Sequence, residues 1–397
     1  MLTISNKGKL MPESPIRKLV PYAEKAKMNG VKVFHLNIGQ PDIETPYSAI
    51  EAVKNSNIKV LAYSKSEGDF ELRNKICDYY SKINIEIDES QVIVTNGASE
   101  ALLFTIGSIM DPGDEIIIPE PFYANYNGFS VANGVNIVPI FSSIDNNFEL
   151  PKIQEFENLI SSNTKAILIC NPNNPTGYVY SYDEIKTLVE IVKKHNLFLI
   201  ADEVYREFTY DNVSHTSILQ FDDIKQHAIV IDSVSKRYSM CGARIGCVIS
   251  KNSEFISTAM KFAQARLSPP TLAQIASTAA MDTGEDYFNM VINEYNDRRK
   301  TLVEGLNEIP GVKVSEPKGA FYCVVELPVN NSEHFAKWLL EEYSLNQETI
   351  MVAPAAGFYS TPNIGQNQVR IAYVLNQSDL KSCINILKNG LMEYLKQ

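Results

Sequence analysis

The chain has 397 residues, with 36 lysines and arginines against 47 aspartates and glutamates, so its formal net charge is −11 at neutral pH. That length suggests two or three domains with large cores, and 45% hydrophobic with 21% charged residues is globular composition, not disorder or fibre. The acidic balance, with no basic run longer than a few residues, argues against a nucleic-acid groove, because phosphate backbones are held by clustered Lys and Arg.

A membrane span needs about 20 mostly apolar residues. Apolar runs such as Ala166–Cys170 and Leu197–Ala201 are strand-sized. The opening Met-Leu-Thr-Ile-Ser-Asn-Lys shows neither an apolar targeting segment nor a cleavage site. Six cysteines (Cys77, Cys170, Cys241, Cys247, Cys323 and Cys383) lack CxxC spacing and sit in apolar or helical contexts. Reduced thiols and a cytoplasmic location are the expectation.

In chain order, short β-rich runs alternate with helical patterns, as in a parallel sheet covered by helices. Strands are predicted at Gln91–Val94, Glu115–Ile118, Val135–Ile140, Ala166–Cys170, Leu197–Ala201, His227–Asp232 and Ile245–Ser250. Helices are predicted at Ala98–Met110, Pro121–Ala132 and Tyr182–His195, and the stretch 252–306 is mostly helical. Beyond Pro310-Gly311 the register changes. Strands at Val312–Val314, Phe321–Leu327, Ile350–Ala353 and Val369–Tyr373 alternate with helices at Ser332–Tyr343 and Ser378–Tyr394. Residues 1–40 show no strand series. The expected division is a large domain over 46–285, with a mostly parallel seven-stranded sheet, and a small α+β domain from 1–45 and 286–397.

Ligands of doubly wound sheets bind beyond the carboxyl ends of the strands, so the residues just after each strand matter most. Thr95-Asn96-Gly97-Ala98-Ser99-Glu100 opens a helix whose free N–H groups suit a phosphate. Asn171-Pro172-Asn173-Asn174-Pro175-Thr176-Gly177 is a rigid turn rich in amides. Asp202-Glu203-Val204-Tyr205 brings a carboxylate and a phenol, and Ser233-Val234-Ser235-Lys236 with Arg244 brings a hydroxyl, an amine and a guanidinium. Each has a plainer reading, as helix cap, turn punctuation or solvated charge. Together they match one chemical task.

The combination resembles the class I/II aminotransferases of fold type I, near their aspartate aminotransferase branch. The matching motifs are Leu36–Pro41, Tyr63 with Gly68 and Leu72-Arg73, Thr95–Leu102, Asn171–Gly177, Ala201–Tyr205, Ser233–Gly246 and Gln368–Ile371. The resemblance implies an α/β fold and pyridoxal 5'-phosphate as cofactor. It implies that Lys236 carries the cofactor aldehyde as a Schiff base and later serves as general base. Asp202 is to pair with the pyridine nitrogen, Tyr205 and Asn174 with the phenolic oxygen, and Tyr123 is to stack on the ring. Gly97, Ala98, Ser99, Ser233 and Arg244 are to hold the phosphate, with Tyr63 reaching it from the other subunit of a homodimer. Arg370, Asn174 and the Gly39 N–H are to bind the substrate α-carboxylate.

The chain departs from the family pattern at Ala98, where relatives often have a second glycine, and at Ser99, where one aspartate aminotransferase group has a lysine. Arg266 or Arg17 is therefore the expected reader of an acidic substrate side chain. The expected reaction moves the amino group of an L-amino acid, aspartate first, to a 2-oxo acid such as 2-oxoglutarate by a ping-pong route. An aromatic or alanine-type transaminase and a C–S lyase are the alternatives on the same scaffold. A ligand-sensing regulator would need a basic DNA-binding domain ahead of this one.

Overall fold

The structure, a computed structural model, describes residues 2–397. Its strands are β1 (Lys32–His35), β2 (Val92–Thr95), β3 (Glu115–Glu120), β4 (Asn136–Phe141), β5 (Thr164–Cys170), β6 (Phe198–Asp202), β7 (Ala228–Ser233), β8 (Gly246–Ile249), β9 (Lys313–Val314), β10 (Tyr322–Glu326), β11 (Glu348–Met351), β12 (Ala353–Pro354) and β13 (Gln368–Ala372). Seven of them form the central sheet in the order β2-β8-β7-β6-β5-β3-β4. The sheet is parallel except at β8, which runs against both β2 and β7. The connection 234–245 carries only two short helical turns, Val234–Arg237 and Cys241–Ala243. With no covering crossover helix, the chain returns antiparallel.

Unbroken apolar runs such as Ala166–Cys170 and Leu199–Ala201 are buried on both faces, as parallel strands between two helix layers must be. The helix Tyr182–His195 shows how locally its bounds are set. Ser181 caps it and Glu184 completes the capping box. Ile185, Leu188, Val189, Ile191 and Val192 bury one face, and Asn196 ends the helix in the left-handed region at φ 51°. Removing such a cap costs about 1 kcal/mol.

A second, antiparallel sheet has the order β12-β13-β10-β9. Residues 1–40 differ from expectation: Lys32–His35 is a strand, paired in parallel with Glu348–Met351. Four residues are too few for periodicity to mark, and the partner lies more than 300 positions away. The predicted helix at Pro121–Ala132 begins instead at Asn125. The segment before it is a turn whose Phe122 N–H donates to the Phe358 carbonyl. Asp202 and Ser233 are thus the last residues of β6 and β7, side by side at the sheet's carboxyl edge.

Candidate active site

At that edge lies a cavity of about 630 Å³, lined also by residues 38–40 and by Tyr322 and Arg370 of the second sheet. Four cations line it, Arg17, Lys236, Arg244 and Arg370, against one carboxylate, Asp202. No carboxylate of the described residues lies within ion-pair distance of any of the four. In a chain of net charge −11 this is a site for anions.

Gly97 forms the turn before the helix Ala98–Ile109 at φ 75°, and a Cβ there would stand 2.3 Å from Arg244 Nη2. The guanidinium itself is tethered by the carbonyls of Cys241 and Asn96 at 3.2 and 3.3 Å. Ala98, Ser99, Ser233 and Ser235 line the same corner. The methyl of Ala98 causes no conflict, because the left-handed conformation falls on Gly97 and not on its neighbour. A helix N-terminus, hydroxyls and a guanidinium converging on one point fit a phosphate.

Asp202 is 4% exposed, and burial lifts its carboxyl from 3.8 to about 6. Its Oδ2 accepts the Tyr126 hydroxyl at 2.8 Å, and no protein cation is bonded to it. A buried carboxylate facing a cavity in this way fits a ring nitrogen that carries a proton. Lys236 Nζ donates to the Gly39 carbonyl at 2.8 Å and reaches Cys241 Sγ at 3.7 Å. The Tyr205 hydroxyl sits 2.9 Å from that of Tyr322. Tyr123 lines the cavity, packed edge-on against Tyr126 at 5.5 Å, and burial pushes its phenol up to about 12.

Arg370 is 1% exposed. Its Nη1 donates to Asn174 Oδ1 at 2.9 Å and its Nη2 to the Asn37 carbonyl, while Nε is buried without a partner. The guanidinium lies 4.5 Å from the Tyr322 ring centroid, and desolvation lowers its pKa. A buried, carboxylate-free arginine of this kind is built to receive a carboxylate. Gly39 is glycine because Tyr322 crosses it: a Cβ would stand 1.7 Å from the Tyr322 hydroxyl oxygen.

Twelve of the expected residues therefore line one cavity or, as with Gly97, one of its turns: Gly39, Gly97, Ala98, Ser99, Tyr123, Asn174, Asp202, Tyr205, Ser233, Lys236, Arg244 and Arg370. Two do not. Tyr63 is 80% exposed and outside it. Arg266 is committed elsewhere: it pairs with Glu100 at 2.8 Å and donates to the carbonyls of Ser66 and Val94. It ties two segments together and has no free fork for a substrate, so Arg17 alone of that pair faces the cavity. Tyr126, Tyr322 and Cys241 were not singled out by the sequence reading. Only Tyr126 carried a local signal, three residues beyond Tyr123 on the predicted helix.

An α/β fold with an anion cavity at the carboxyl edge of its sheet, bearing a buried Asp and an unpaired Lys, defines a cofactor-dependent enzyme of anionic substrates. Residues 31–387 match the family model of aminotransferase class I and II. The chain is 32% identical over 394 residues to an aspartate aminotransferase of Pyrococcus horikoshii, covering 98% of this chain and 97% of that protein. Among solved structures it resembles the aspartate aminotransferase of Thermus thermophilus with maleate (TM-score 0.89, 26% identity, 98% of this chain and 100% of that one). It also resembles an alanine aminotransferase from Pyrococcus furiosus (TM-score 0.90, 28% identity, 98% and 100%). The chain belongs to the class I and II aminotransferases, with their fold type I architecture, and is a transaminase that uses pyridoxal phosphate.

Proposed function

We propose that this transaminase exchanges the amino group of L-aspartate with a 2-oxo acid such as 2-oxoglutarate, both dicarboxylic. The observation that carries the reading is the surplus of unpaired cations. Lys236, Arg244 and Arg370 suffice for the cofactor and one α-carboxylate, and Arg17 remains over at the cavity wall. It has no side-chain hydrogen bond among the described residues and is the cation for a second carboxylate. The relative bound to maleate, a dicarboxylate, supports the same class of ligand.

The cofactor, when bound, supplies an aldehyde and an electron-accepting ring. Asp202 would pair with the protonated ring nitrogen, and Tyr205 and Asn174 would hydrogen-bond the phenolic oxygen. Tyr123 would pack against the ring, while Gly97, Ala98, Ser99, Ser233 and Arg244 would hold the phosphate. Arg370 and the Gly39 N–H orient the substrate carboxylate so that its Cα–H faces the Lys236 amine, which moves that proton. A homodimer supplies Tyr63 from the partner. Tyr47, Val60, Leu61, Tyr63 and Leu267 are all more than half exposed, an apolar surface that a second copy would cover. Residues 46–285 form the cofactor domain. The pairing of β1 with β11 supports assigning 1–45 to the second domain with 286–397. Six free cysteines support a cytoplasmic setting.

The test is the visible spectrum of the holoenzyme with L-aspartate and no acceptor. The reading expects the cofactor band to convert and 2-oxoglutarate to restore it, with Arg17→Ala losing the preference for aspartate over alanine. A band that ignores aspartate but answers alanine or tyrosine would refute the dicarboxylate reading, and turnover without an acceptor would indicate a lyase.

A further inference from the structure

The main group of buried charges outside the cavity lies behind the same two strand ends. Asp202, Tyr205 and Lys236 line the cavity, while their chain neighbours Glu203, Arg206 and Arg237 are buried away from it. Arg237 is 3% exposed. Its Nη2 donates to both oxygens of Asp232 at 2.9 and 2.7 Å, and its Nε lies 2.7 Å from Glu207 Oε1. Its guanidinium carbon stands 4.0 Å from the Tyr79 ring centroid. Asp232 also accepts the Tyr80 hydroxyl at 3.1 Å and the Ser233 N–H at 2.7 Å, and Glu207 accepts the Tyr79 hydroxyl. Arg206 covers the Tyr80 ring at 4.5 Å and stands 3.7 Å from Glu203, whose other oxygen takes the Ser217 hydroxyl.

The cluster joins two segments. One, 232–237, carries Lys236, and the other, 203–207, carries Tyr205. Arg237 is the side chain held by a carboxylate of each. Burial alone does not require this arrangement, since well-packed apolar residues replace buried ion pairs with equal or better stability. What a guanidinium adds is direction: Nη2 donates to both oxygens of Asp232 while Nε stands beside Glu207, two contacts from one rigid group that neither Lys nor an apolar side chain reproduces. Across the cavity, Lys236 Nζ stands 5.9 Å from the Tyr205 ring centroid.

We infer that Arg237 is a positioning residue for transamination, fixing from behind the sheet the placement of the Lys236 amine relative to the Tyr205 phenol. The inference rests on reading Lys236 as the cofactor-bearing lysine. That is checked first, by borohydride reduction of the wild-type holoenzyme and mapping of the fixed cofactor; attachment elsewhere would refute the Lys236 reading itself. Three holoenzymes are then compared with wild type: Arg237→Met, Arg237→Lys, and Arg237→Met combined with Asp232→Asn and Glu207→Gln.

Arg237→Met leaves two buried carboxylates without their cation and lowers Tm, whereas the triple variant removes those charges and recovers it. Positioning predicts that the recovered triple variant still has kcat down about tenfold or more, with KM for aspartate changed about twofold at most. Its visible circular dichroism per bound cofactor falls as well, since that signal reads the cofactor's orientation and not the fold. Return of kcat and the visible signal together with Tm would make the cluster merely structural and overturn the inference. Arg237→Lys decides the case where the triple variant stays unstable. A folded Arg237→Lys holoenzyme with wild-type kcat and visible signal overturns it, and one with both reduced supports it.

Discussion

Asp202 shows how one residue carries opposite demands of stability and function. Burial lifts its carboxyl from 3.8 to about 6. A carboxyl that holds its proton more tightly when folded makes the folded state lose stability as pH rises from the lower to the higher value. Above about pH 6 that loss is complete and amounts to about 3 kcal/mol. The cation that would offset it is the protonated ring nitrogen of the cofactor. Asp202→Asn keeps an acceptor for the Tyr126 hydroxyl and removes the buried charge. Cofactor-free Asp202→Asn is therefore expected to melt above wild type at pH 8, with the advantage vanishing near pH 4. In the holoenzyme the order narrows or reverses, while kcat falls about a hundredfold or more. Melting curves across pH with and without cofactor check this, and identical pH dependence of the two cofactor-free proteins would show that Asp202 bears no such strain.

At the scale of the element, the turn at Gly97 ties strand, helix and cavity together. It needs φ near +75°, and its missing Cβ makes room for Arg244. β8 presses on the same turn, since a Cβ at Gly246 would stand 2.6 Å from the Ala98 nitrogen. Gly97→Ala carries both a conformational and a steric penalty, about 1–2 kcal/mol for the backbone alone. Equilibrium dialysis is expected to show cofactor affinity reduced about tenfold or more, with the far-ultraviolet spectrum retained. Unchanged affinity would mean that the phosphate binds elsewhere. Elements of this kind were legible because their signals are local. The strand runs were read to within about two residues, and Tyr182–His195 to the residue, from apolar pattern and caps. Lys32–His35, Tyr322 and the pinning of Arg266 were not legible, because each depends on a partner far away in the chain. Arg266 is instructive: an arginine in a loop reads the same whether it awaits a substrate or grips Glu100 and two carbonyls.

For the whole molecule, the proposed dimer rests on the exposed apolar surface around Tyr63. A tyrosine 80% exposed, beside Val60 at 76% and Leu61 at 64%, is poorly placed to act in its own cavity. In a two-fold dimer the same patch serves both copies, so each site would combine one subunit's Lys236 with the other's Tyr63. Intersubunit complementation tests this directly. Lys236→Ala is expected to be inactive, and Tyr63→Ala to bind cofactor weakly and turn over slowly. After the two are mixed, unfolded and refolded together, each mixed dimer holds one site with both native residues and one with neither. A random one-to-one mixture then has native composition at about a quarter of all sites. Activity at limiting cofactor should rise well above the mean of the two parents. If Tyr63 served its own subunit, every site in the mixture would lack one residue or the other and the activity would stay at that mean.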